Sequence, residues 1–125
     1  MITSLSVLLM KQKQQIRWTA FIGAAAQLVL SFVLYAAYQK AMEGKPRKVI
    51  DGFTPEQRFF LGYARGWATN TRPELARMLA TVDPHPLPKF RVNGPLSNMP
   101  QFAQAFSCKA GDAMVRPEKD RCQIW

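Results

Sequence analysis

The chain has 125 residues, which is enough for one small domain at most. Its 17 Lys and Arg outnumber its 8 Asp and Glu, giving a formal charge of +9. The cations are scattered, without a long basic run or an aromatic–basic repeat, so we expect no nucleic-acid partner.

The first predicted element is an apolar helix over residues 19–38, which contain no charged side chain. A helix of about 20 residues spans about 30 Å, the thickness of the bilayer core. Two interpretations stay open. The segment is a transmembrane helix, which would place the chain in a membrane or outside the cytoplasm, or it is the Ala-rich core helix of a soluble protein.

A second helix is predicted to begin after a linker over residues 43–52. Thr54 suits the N-cap, Pro55 the first helical position, and Gln57 the partner position of a capping box. Apolar residues then recur at helical spacing, which predicts a broad aromatic face. Its members are Phe59, Phe60, Tyr63, Ala64 and Trp67.

Prolines organise the remainder of the chain. Pro73 indicates the first turn of a third helix, which should stop before Asp83 because a residue that precedes proline avoids helical geometry. Residues 84–95 contain four prolines and are predicted to be loop. Asn98 is predicted to cap a short helix that carries Phe102, Ala105 and Phe106. The expected fold class is therefore mainly α with long Pro-rich loops.

The chemistry-bearing residues are few. His85 is the single histidine, so the chain lacks the two histidines of an HExxH zinc site. Cys108 and Cys122 fit neither a zinc knuckle nor a CxxC motif, and they could pair with each other or with an outside partner. We predict no metal-ligand set. Asp83 could fix one tautomer of His85, and Arg91 could join the histidine in binding a carbonyl or carboxylate. The alternative is a structural loop with a surface histidine.

Several segments resemble the C-terminal region of the neprilysin and endothelin-converting-enzyme family of zinc metallopeptidases. They are residues 50–64 (IDGFTPEQRFFLGYA), 72–74 (RPE), 90–99 (FRVNGPLSNM) and the closing Cys-x-x-Trp at 122–125. The resemblance begins at about residue 35. It divides the chain into an unmatched segment, 1–38, and a peptidase-like segment, 39–125.

The resemblance implies a helical piece of a metalloendopeptidase catalytic domain, whose complete form binds zinc and hydrolyses peptides. In the family, the zinc ligands come from HExxH and ENxxD-type motifs that precede the matched part. This chain has an apolar stretch, Gly23 to Leu34, where the second motif should be. We therefore expect that the chain alone binds no zinc and is inactive. A further alternative is a split enzyme, in which a separate chain supplies the missing N-terminal catalytic portion.

The resemblance also assigns roles within the complete enzyme. It implies that His85 stabilises the transition-state oxyanion, that Asp83 orients His85, and that Arg91 binds the peptide substrate. The last two family cysteines pair far upstream, so Cys108 and Cys122 are expected to be free thiols. As a truncated or frame-shifted product, the chain should lack partners for its aromatic face and be poorly soluble. The alternative is a membrane-anchored, non-catalytic module that binds peptides or proteins.

Overall fold

The computed structural model describes residues 3–83 and 85–122, and its regular elements are helices. The mainly α fold is therefore confirmed. Pro84 and residues 123–125, which belong to the predicted His85 loop and to the closing Cys-x-x-Trp motif, lie outside the described residues. The helices are α1 (Thr3–Ala41), α2 (Pro55–Gly66), α3 (Pro73–Val82), α4 (Pro88–Asn98) and α5 (Pro100–Ala105), followed by a 3₁₀ turn at Glu118–Asp120.

The apolar helix predicted over residues 19–38 lies within α1, a continuous helix of 39 residues. Among the described residues, Arg17–Ala41 is the one helical stretch long and apolar enough to cross a membrane. Core helices of soluble proteins and signal sequences meet the same criterion, so it is weak evidence for a membrane span. The contacts of the α1 side chains are more informative than its composition.

Helix α2 begins as its capping signals predict. The backbone N–H of Gln57 donates to Thr54 Oγ1 at 3.2 Å, and the backbone N–H of Thr54 donates to Gln57 Oε1 at 2.9 Å. These reciprocal bonds satisfy two donors that the first turn of a helix otherwise leaves unpaired. Pro55 follows the cap, where its missing N–H is not needed. Helix α3 likewise starts at Pro73 and ends before Asp83, as predicted.

The core is aromatic and is centred on Phe60, which is 1% exposed and clusters with Leu96 and Met99. The Phe60 ring stacks on Tyr35 of α1 at a centroid distance of 5.3 Å. It meets Phe102 of α5 edge-on at 5.4 Å. The expectation that the aromatic face of α2 lacks packing partners is therefore wrong, because α1 and α5 supply them.

The predicted loop over residues 84–95 is also wrong in its second half, because α4 begins at Pro88. Proline is well suited to a first helical position, whereas Pro95 lies inside the helix. Because Pro95 has no N–H, the carbonyl of Arg91 loses its usual intrahelical donor. The hydroxyl of Tyr63 takes that place and donates to Arg91 O at 3.2 Å.

Asn98 does not cap the short helix, since Met99 is the N-cap of α5 and Pro100 is its first residue. Asn98 is instead buried at the end of α4. Its Nδ2 donates to Gly94 O at 2.7 Å, and its Oδ1 accepts from the backbone N–H of Cys122 at 3.1 Å. The side chain thereby ties the C-terminal segment to α4, a long-range role that local sequence does not indicate.

Candidate functional site

Asp83 and His85 form a contact pair directly after α3, where Asp83 is the C-cap residue. Asp83 Oδ1 accepts from the backbone N–H of His85 at 2.9 Å and lies 2.9 Å from His85 Nδ1. Both bonds hold the pKa of Asp83 below its ordinary value of 3.8, and the bond from the backbone N–H has the larger effect. The carboxylate therefore favours a proton on Nδ1 and directs Nε2 away from itself.

Arg91 lies near the start of α4 and is held in two ways. Its Nε donates to the carbonyl of Pro86 at 2.8 Å, one residue beyond His85. Its guanidinium carbon lies over the Trp67 ring, 4.8 Å from the centroid. Among the described residues these contacts leave the two terminal nitrogens of Arg91 without a hydrogen-bond partner. A positioned guanidinium of this kind can bind a carboxylate or a carbonyl.

The His85 loop faces α1. A Cβ built on Gly23 would lie 4.0 Å from His85 Cδ2, which is an ordinary van der Waals distance. The imidazole is nevertheless open to solvent, with 59% of its side chain exposed. The structure therefore brings Asp83 and His85 together, ties Arg91 to the same loop, and leaves the histidine accessible to a ligand.

A polar network that the sequence does not predict holds the backbone of α4 next to this loop. Gln27 Nε2 of α1 donates to the hydroxyl of Tyr63 at 2.7 Å, and Ser31 Oγ lies 3.0 Å from the same oxygen. Tyr63 in turn donates to the carbonyl of Arg91. One hydroxyl thus joins α1, α2 and α4 below the site. The polar residues Gln27 and Ser31 within the apolar segment are the sequence signals for it.

An apolar cavity of about 410 Å³ lies between α1 and α4 and adjoins the site, because Pro86 and Arg91 help to line it. Further wall residues are Phe21, Ala25 and Leu28 from α1, Phe90 and Pro95 from α4, and Cys122. Cys108 and Cys122 are both free thiols, the first half-buried and the second exposed. The site therefore combines an apolar space with a guanidinium and an imidazole.

These residues do not fit a zinc ion by themselves. Within residues 3–83 and 85–122, no three His, Cys, Asp or Glu side chains are grouped so that they could hold a metal. A zinc site in a protein normally takes three or four such ligands. Asp83 and His85 supply two groups, and those groups are bonded to each other.

Comparison with known proteins gives consistent results. The model of Peptidase family M13 matches residues 18–122, so the match starts upstream of residue 35, where the motif resemblance begins. The chain is 39% identical over 97 residues to Neprilysin-1 of Caenorhabditis elegans, covering 76% of this chain and 13% of the relative. It is 40% identical over 94 residues to human Membrane metallo-endopeptidase-like 1, covering 73% and 12%.

A solved structure agrees with these relatives. The crystal structure of the Mycobacterium tuberculosis zinc metalloprotease Zmp1 in complex with an inhibitor superimposes with a TM-score of 0.66 and 42% sequence identity. That match covers 72% of this chain and 14% of Zmp1. The chain thus spans only about one-eighth of the length of the curated relatives it matches. The resemblance to the neprilysin and endothelin-converting-enzyme family is confirmed, and the chain belongs to peptidase family M13.

Proposed function

We propose that this chain supplies the C-terminal part of a neprilysin-type metalloendopeptidase site, in which His85 and Arg91 bind the peptide. Zinc and the catalytic base would come from protein outside these 125 residues, so the chain alone would not cleave peptides. The observation that carries this proposal is the prearranged loop. Asp83 is bonded to His85, and Arg91 is bonded to the next carbonyl along the chain.

The proposed role of His85 is to stabilise negative charge. With Nδ1 held by Asp83, a protonated ring presents Nε2–H as a donor to the oxyanion that develops at the scissile carbonyl. Asp83 is a positioning residue, because it acts through the imidazole. Prearranged donors are effective because they need no reorganisation when the charge develops.

The proposed role of Arg91 is to bind the peptide. Its stacking on Trp67 and its bond to Pro86 leave the terminal N–H groups for a carbonyl or carboxylate of the substrate. The neighbouring apolar cavity can take an uncharged side chain. Because lysine cannot reproduce the planar fork of arginine, Arg91→Lys should raise KM more than it lowers kcat.

A complementation assay tests the proposal. The chain is co-expressed with M. tuberculosis Zmp1 from which the segment equivalent to this chain has been removed, and peptide hydrolysis is measured with and without a zinc chelator. We expect zinc-dependent cleavage that falls roughly 100- to 1000-fold in His85→Ala, the usual effect of losing one oxyanion donor. Lys109→Ala, an exposed change outside the site, should cleave normally. Full activity of His85→Ala would reject the proposed role.

A second candidate function is a membrane-anchored, non-catalytic binding module located in a membrane or outside the cytoplasm. The length and composition of Arg17–Ala41 favour it. The packing opposes it, since the middle of that stretch contacts Tyr63 and, through it, α4, which carries Lys89 and Arg91. A Lys or Arg at the bilayer centre costs about 3 kcal/mol on the insertion scale. Insertion would therefore require α1 to separate from the other helices. Retention of the tagged chain in carbonate-washed membranes would support this candidate.

A further inference from the structure

The polarity of α1 between Trp18 and Tyr38 is the reverse of that of an ordinary surface helix. The side that packs on the rest of the chain carries the polar groups, in a stripe made of Gln27, Ser31, Tyr35 and Tyr38. The outward stripe is apolar throughout and consists of Trp18, Ile22, Ala26, Leu30, Val33 and Ala37, all of which are exposed. A helix with one solvent-facing side normally places its polar residues there.

The outward stripe has the spacing of a helix-packing surface. Its members are three or four residues apart and lie on one side of the helix, as they would along a seam between two helices. The alanines at 26 and 37 permit close approach of a second backbone. The exposed cations Arg17 and Lys40 bracket the stripe, so a matching helix would carry acidic residues near its ends.

The family match bears on what could cover this stripe. The Peptidase family M13 match begins at residue 18 and therefore includes the whole outward stripe, which identifies the stripe as part of the peptidase sequence. The chain covers only 13% of Neprilysin-1 and 14% of Zmp1, so most of the length of those two proteins lies outside the part that this chain matches. Protein is thus favoured over lipid as the occupant.

We propose that the outward stripe of α1 docks an apolar helix of the zinc-bearing portion of an M13 peptidase. This inference rests on the proposed function, and it names the surface through which that function would be completed. Docking at this surface leaves the contacts of Gln27 and Tyr35 in place, because they lie on the opposite side of α1.

The test uses the full chain, with Zmp1 lacking its equivalent segment as the co-expressed probe, and measures affinity capture. Val33→Lys places a charge in the outward stripe. Met78→Lys is a matched control on α3, since Met78 and Val33 are each 52% exposed. We expect the wild-type chain and Met78→Lys to be captured equally, and Val33→Lys at least tenfold less. Ile22→Lys should repeat the loss, and circular dichroism should confirm that each variant is folded.

Several results would overturn the docking proposal. One is that Val33→Lys and Ile22→Lys are captured as well as the wild-type chain, and another is that the wild-type chain is not captured. A third is that Val33→Lys abolishes binding to vesicles or self-association and leaves capture unchanged. His85→Ala separates this proposal from the proposed function, because it should be captured normally whether or not it is active. A captured wild-type complex that does not cleave peptides would reject the proposed function and leave the docking surface supported.

Discussion

Removing the hydroxyl of Tyr63 should destabilise the fold, because two other polar groups depend on that one hydroxyl for a hydrogen bond. The hydroxyl accepts from Gln27 and donates to Arg91 O, the carbonyl that Pro95 deprives of its helical donor. Tyr63→Phe leaves both groups unpaired in a half-buried position. A buried polar group without a partner costs about 1–3 kcal/mol, so we expect a loss of about 2 kcal/mol in the free energy of unfolding.

Urea denaturation measures this loss, and Tyr38→Phe is the matched control. The Tyr38 hydroxyl is buried without a hydrogen-bond partner among the described residues. Removing it should therefore be neutral or slightly stabilising, because replacing an unpaired buried group removes a desolvation cost.

A double-mutant cycle with Pro95→Ala isolates the mechanism. Alanine restores an N–H that can reach Arg91 O, so Tyr63→Phe should cost about 1 kcal/mol less in that background. Equal costs of Tyr63→Phe in the two backgrounds would refute the compensation between Tyr63 and Pro95, and so would a cost no larger than that of Tyr38→Phe.

Three further predictions concern the cap, the core and the loop. Thr54→Ala should lower the free energy of unfolding by about 1 kcal/mol by removing the capping box, as measured in urea, while Thr81→Ala on the exposed last turn of α3 should not. Phe60→Ala should cost about 3–5 kcal/mol, and a wild-type chain without a cooperative thermal transition would contradict the packed core. NMR of the Asp83 carboxyl group should give a pKa below 3.8, and in His85→Ala the pKa should return toward 3.8. Because the folded-state pKa is lowered, the contribution of Asp83 to stability is present above pH 3.8 and is lost as the pH falls through the folded value.

The features that sequence predicted well are those set by neighbouring residues. The capping box of α2 lies within four consecutive residues, and the contact between Asp83 and His85 spans two. Helix α3 begins at Pro73, and it ends before Asp83, the residue that precedes Pro84 in the sequence. Local chemistry was sufficient in each case, because the partner was already present in the same turn.

The features that sequence missed depend on distant partners. Helix α4 tolerates Pro95 because Tyr63, 28 residues away from Arg91, supplies the missing donor. A count of prolines cannot reveal that compensation, so the sequence alone predicts a loop there. The orientation of Arg91 over Trp67 likewise requires α2 and α4 to be adjacent. In the candidate site, the contact between Asp83 and His85 could be predicted from sequence, whereas the contacts that hold Arg91 could not.

The tie between Asn98 and Cys122 has a consequence for the end of the chain. Together with the bond from the backbone N–H of Arg116 to Ser97 O at 3.0 Å, it anchors the segment after α5 at two points on the end of α4. Because two hydrogen bonds contribute only about 1 kcal/mol each, the segment should stay docked while the chain is intact and loosen after a protease nick in the exposed turn at residues 109–113. The amide hydrogen of Cys122 should accordingly exchange more slowly in the intact chain than in the nicked one, although Cys122 is exposed.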